Sequence, residues 1–139
     1  MYKTLKYKGI TFITGCRLLP PSGYSAITLF GYVFTKKSYA DVSRLLSTDR
    51  GKIWANHENI HILQRKQVWT KTWLVFYILY LFYFFKAWPF SMKWKVAYKT
   101  IPFELEAYQN QTDLDYYPYS FWKNYIYDNE RRKEVYKKL

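Results

Sequence analysis

Both histidines of the chain fall in one short stretch, His57-Glu58-Asn59-Ile60-His61. On a helix, residues four apart stand on one face about a turn from each other, so both imidazoles can reach a single metal ion. A glutamate directly after the first histidine completes an HExxH pattern, in which Glu58 can serve as general base toward water activated at the site. The stretch therefore demands a helix. That helix is expected to begin near Lys52, with Thr48 or Asp49 as its N-cap. Ile53, Ile60 and Leu63 would form its apolar face, and Trp54, His57, His61 and Gln64 an adjacent one.

A catalytic Zn²⁺ held by two histidines needs one more protein ligand. The chain has only ten acidic residues, and Glu104 and Glu106 stand out among them. Both lie in the first turns of a helix that Pro102 starts, capped by Thr100 or Ile101. Residues two apart on a helix point about 200° from each other, so only one of the pair can face the histidines. Glu104 shares its face with Ala107 and Tyr108, and the small alanine permits close approach to the motif helix. Glu106 lies with Phe103 and Asn110. The facing favours Glu104, with Glu106 as the alternative; either could instead complement the helix dipole.

Upstream, residues 10–14 have the β-branched and aromatic character of a strand closed by Gly15, and residues 20–23 read as a loop. Residues 25–36 read as one kinked strand or two strands meeting at Gly31. They would form plain sheet, or an edge strand on the substrate side of the metal helix. Residues 41–46 suggest a short helical turn and 47–51 a loop.

Downstream, residues 72–85 carry no charge and are bracketed by Lys71 and Lys86, with a break expected at Trp88-Pro89. Fourteen residues of helix span about 21 Å, short of a hydrocarbon core of about 30 Å. A single crossing would also leave the histidines and the candidate glutamates on opposite sides of a bilayer. The segment is therefore expected to return as a helical hairpin, packed within the protein or lying in the membrane interface, and its tyrosine, tryptophan and lysine flanks favour the interface. Residues 93–99 bring further lysines suited to an anionic surface. Residues 116–119 read as a loop, 120–127 as a final aromatic helix and 128–139 as a charged helical end.

Length and composition set the frame. The 139 residues fit one domain, 1–139, and half of them are hydrophobic, which excludes a disordered tail. Aromatic residues reach 23% and the net charge is +12, so anionic surfaces are the expected partners. Nucleic acid is disfavoured, because the basic residues are scattered and no recognition motif is present. The single Cys16 excludes an internal disulfide and a thiolate zinc cluster. The basic start is not followed by an apolar run of signal-peptide length, so the expected location is the cytoplasm, in association with the inner face of the membrane.

His57-Glu-Asn-Ile-His61 followed by Phe103-Glu-Leu-Glu-Ala-Tyr108 resembles the gluzincins, zinc metallopeptidases whose third ligand is a glutamate on a second helix. With the aromatic run and residues 101–110 included, the likeness is closest to a small group of bacterial HExxH proteins and covers about residues 24–125. The resemblance implies His57, His61 and Glu104 as zinc ligands and Glu58 as general base. The chain departs from the pattern at Tyr108, where many gluzincins carry an acidic residue that supports the ligand glutamate. The expected fold is α+β: a small N-terminal β-hairpin or sheet over a long HExxH helix, then a helical hairpin and a second ligand-bearing helix in a minimal zincin-like core. The expected function is a zinc-dependent metallopeptidase, a hydrolase acting on a peptide or protein near a membrane surface. The alternative is a catalytically inactive, membrane-associated binding or regulatory protein that retains the metal site.

Overall fold

A computed structural model describes residues 2–118, apart from 21, 23, 69, 70 and 92. The described residues form an α+β structure with a four-stranded mixed sheet and five helices, in agreement with the expected class. They group into two compact units, residues 1–62 with 111–115, and residues 63–110 with the chain from 116 onward. The expected helices at 120–127 and 128–139 lie outside the described residues.

The first unit opens with β1 (Lys3–Tyr7) and β2 (Ile10–Thr14), an antiparallel hairpin in which Lys3 pairs with Thr14 and Tyr7 with Ile10. β3 (Ala26–Leu29) and β4 (Tyr32–Thr35) form a second antiparallel hairpin. Between them Phe30 and Gly31 both have positive φ, 52° and 86°. Two consecutive left-handed residues are what a tight hairpin turn requires, and glycine adopts that conformation without strain. The glycine thus separates two strands rather than kinking one. β4 pairs in parallel with β2, which gives the order β1-β2-β4-β3 and leaves β3 at an edge.

Alternation on β2 turns Ile10 and Phe12 into the core, where they meet Val33 of β4 and residues from two helices. The first of these is α1 (Tyr39–Leu46), which contributes Val42 and Leu46. Ser38 caps it by accepting from the Asp41 backbone N–H and donating to the Asp41 carboxylate, and this bond holds Asp41 below the usual carboxylate range. The second is α2 (Asp49–Gln67), which starts three residues before the expected position. Gly51 is helical rather than part of a loop. A Cβ there would stand 1.8 Å from the Leu45 carbonyl oxygen, so the end of α1 approaches α2 at a point only glycine allows. Trp54 departs from the face expected for it and packs against Phe12 with ring centroids 5.2 Å apart, because the sheet offers it an apolar surface.

The second unit is helical. It contains the last turn of α2, then α3 (Trp73–Ser91), α4 (Trp94–Lys99) and α5 (Pro102–Asn110). Its core is Val68, Phe76, Ile101 and Phe103, wrapped by half-buried aromatics of α3 and by Tyr98 of α4. Phe76 meets Phe103 at 4.5 Å between centroids, and Tyr80 stacks on Phe103 with a 6° interplanar angle. Burying a phenylalanine as fully as Phe103 stabilises by about 1.5–3 kcal/mol. α3 continues past Trp88-Pro89 to Ser91 instead of breaking there. The proline removes one backbone donor from the last turns of α3, and the helix ends two residues later. No helix among the described residues is long and apolar enough to cross a membrane.

Candidate metal centre

The functional side chains of α2 are set by its first turn. Asp49 opens the helix, and Thr48 Oγ1 accepts from the Gly51 backbone N–H at 3.1 Å, satisfying one of the unpaired donors at the helix start. Eight and twelve residues after Asp49, His57 and His61 are both buried, and their rings meet edge to face at 4.8 Å. Their Nε2 atoms lie 3.2 Å apart. Two imidazole ligands at 2.0–2.1 Å from one tetrahedral zinc would have their nitrogens separated by about 3.3 Å, so the pair is spaced as zinc ligands are.

Gln111 Oε1 lies 3.2 Å from His57 Nδ1. An amide oxygen only accepts, so this bond calls for the tautomer with the proton on Nδ1 and the lone pair on Nε2. Asn56 fixes the position of that glutamine. Its Nδ2 donates to the backbone oxygens of Gln111 and Asp113, both at 2.8 Å, which pins residues 111–113 beside the helix. Glu58 is half-buried, and its Oε2 accepts from Thr28 Oγ1 on the edge strand β3. Of the two alternatives for residues 25–36, β3 is an edge strand, and it reaches the carboxylate expected to act as base.

In α5 both candidate glutamates are buried, and each accepts from a tyrosine hydroxyl. Glu104 Oε1 accepts from Tyr80 of α3 at 2.7 Å. Burial, and after it the neighbouring Glu104 carboxyl, raises the Tyr80 phenol well above its usual pKa, so it stays protonated and donates. Glu106 is tied into the framework of its own unit. Gln64 donates to its Oε2 at 2.8 Å, Tyr116 to its Oε1 at 2.7 Å, and Asn110 to its backbone oxygen. Gln64 also donates to the Phe103 backbone oxygen at 2.9 Å. The potential ligand atoms of His57, His61 and Glu104 lie within 4.8 Å of one another, a buried group that could hold a metal ion.

Four supporting residues, Thr28, Asn56, Tyr80 and Gln111, were not identified from sequence. Tyr80 is one of sixteen tyrosines and sits in an apolar run that offers no local sign of a polar task. Gln111 lies 54 residues from the histidine it orients. The only sequence hint is the polar run Gln109-Asn110-Gln111 directly after the glutamate helix. Tyr108, at the position where an acidic support was sought, is 42% exposed, and the hydroxyl that donates to Glu104 belongs to Tyr80. Comparison with protein-family models, with curated proteins and with solved structures finds no match to this chain.

Proposed function

We propose that the chain is a zinc-dependent hydrolase of the metallopeptidase kind, with His57, His61 and Glu104 holding the metal and Glu58 acting as general base. The observation that carries this reading is the 3.2 Å separation of two buried imidazole nitrogens four residues apart on one helix, within a group that also includes a buried glutamate. The donor set of two histidines and one carboxylate fits a catalytic zinc site. Zn²⁺ bound there would supply Lewis acidity that makes water nucleophilic near neutral pH.

The protein's own side chains do the rest. Gln111 holds His57 in the tautomer that presents Nε2, and Tyr80 orients the Glu104 carboxylate. Thr28 takes one oxygen of Glu58 and leaves Oε1 to accept the proton of the attacking water. A peptide lying along β3 would come next to this carboxylate, and the unpaired edge of a sheet can hold an extended chain by backbone hydrogen bonds. That arrangement supports a peptide as the substrate class.

The test combines metal analysis with turnover. Purified protein is expected to carry about one equivalent of zinc, His57→Ala and His61→Ala to carry none, and Glu58→Gln to keep the metal while losing hydrolysis of a mixed peptide library. Iron in place of zinc, or metal content unchanged in His57→Ala, would overturn the assignment. Full zinc loading with no hydrolysis in the wild type would favour the regulatory alternative.

A further inference from the structure

Independently of the metal centre, we infer that the outer face of α3 docks in the plane of an anionic lipid surface. The helix is apolar on every side, yet the protein covers only part of it. Phe76, Tyr80 and Tyr83 face the core of the second unit, whereas Leu74, Ile78, Leu81, Phe82, Phe85 and Trp88 are 43–70% exposed. At 100° per residue these six positions fall within an arc of about 120°, opposite the packed face. An uninterrupted stripe of large apolar side chains along a 19-residue helix is far from the scattered single residues that ordinary surfaces carry.

Charge identifies the partner. Residues 59–103 contain seven lysines and arginines and no aspartate or glutamate. Lys71 stands before the stripe, Lys86 borders it, and Lys93, Lys95 and Lys99 follow on and beside α4; all five are exposed. The only acidic residues among the described residues of this unit, Glu104 and Glu106, are buried. Among the described residues of this unit, the exposed charges around the stripe are therefore all positive. An apolar face rimmed by lysines, with a tryptophan in it, is the pattern of a helix lying at the headgroup level of an anionic leaflet. The helix cannot cross the bilayer, because its other face is packed in the protein core and holds Tyr80 on the buried Glu104. In-plane docking satisfies both faces at once.

The full chain is tested by co-sedimentation with phosphatidylcholine vesicles and with vesicles containing one quarter phosphatidylserine. Binding is expected to be at least tenfold tighter to the anionic vesicles and to weaken at least tenfold between 50 and 500 mM salt. Phe82→Ser combined with Phe85→Ser changes only exposed side chains and should lower binding at least tenfold with an unchanged melting temperature. Should that variant fail to fold, Lys86→Glu with Lys93→Glu is expected to weaken binding several-fold. A fluorophore on Phe82→Cys, in a Cys16→Ser background, should become shielded and be quenched by nitroxide lipids only when vesicles are added. No binding by the wild type, or equal binding by the variants, overturns the inference. So does a label already shielded in solution and unchanged by vesicles, which would mean that the stripe is covered by residues 119–139 or by a second copy. Displacement of vesicles by duplex DNA, equally from wild type and stripe variant, would assign the positive surface to nucleic acid instead.

Discussion

Tyr80→Phe probes the hydroxyl that supports Glu104 in the proposed metal centre. The phenol donates to Glu104 Oε1 at 2.7 Å, while the ring stacks on Phe103 and lies against Phe76. Removing the hydroxyl keeps both ring contacts and deletes the donor to a carboxyl group that is 2% exposed, together with the hydroxyl's hydrogen bond to Tyr98. Hydrogen bonds to a charged group contribute about 1.5–3 kcal/mol, and loss of a group that orients a metal ligand lowers metal affinity about 10–100-fold. Tenfold corresponds to about 1.4 kcal/mol, so the two scales agree. Competition titration of zinc against a chromophoric chelator should therefore show at least a tenfold weaker site in Tyr80→Phe. Tyr108→Phe, at an exposed position, should bind as the wild type does. If Tyr80→Phe loses stability but binds zinc with unchanged affinity, Glu104 is not a ligand and the hydroxyl is part of the core alone. If Tyr108→Phe gives the larger loss, the support has been assigned to the wrong tyrosine.

Four further substitutions probe the surrounding framework. Gln111→Ala leaves His57 Nδ1 without its acceptor and should weaken zinc binding about tenfold in the same titration. Asn56→Ala acts through Gln111, so the double variant should be no worse than Gln111→Ala, and additive losses would show that Asn56 does something else. Glu106→Gln weakens the bonds from Gln64 and Tyr116 and should cost about 2 kcal/mol in denaturant unfolding with zinc stoichiometry unchanged. Gly51→Ala would ordinarily stabilise a helix by about 1 kcal/mol, but the Cβ meets the Leu45 backbone, so melting should instead fall by about 5 °C or more.

What could be read from the sequence was encoded in spacing and in turn chemistry. The interval between His57 and His61 requires a helix, Pro102 marks the start of α5, and Gly31 divides residues 25–36 into a hairpin. The preference for Glu104 over Glu106 also came from helical facing, and the partners of Glu106 lie within the framework of its unit. Features governed by tertiary contacts were not legible. β1 turns only Leu5 and Tyr7 to the core, an alternation too short to mark a strand within the basic start, and pairing with β2 completes it. Gly51 looks like a helix breaker until the approach of Leu45 explains it. The supporting groups Tyr80 and Gln111 are joined to their targets by folding alone, across 24 and 54 residues.

The buried strip of α2 is unusual in its chemistry. Alongside Ala55 and Ile60 it buries Asn56, His57, His61 and Gln64. Withdrawing amide and imidazole groups from water costs free energy unless each finds a partner, and apolar residues at these positions would avoid that cost. The two amides are matched: Asn56 to the backbone of residues 111 and 113, Gln64 to Phe103 and Glu106. They bracket the histidines, one at each end, and fix the segments before and after which the proposed ligands must stand. The histidines turn their Nε2 atoms toward each other, and His57 also has Gln111 at its Nδ1. In the proposed site a cation between the two Nε2 atoms would use both lone pairs at once, which is the chemical argument for reading the strip as a metal seat.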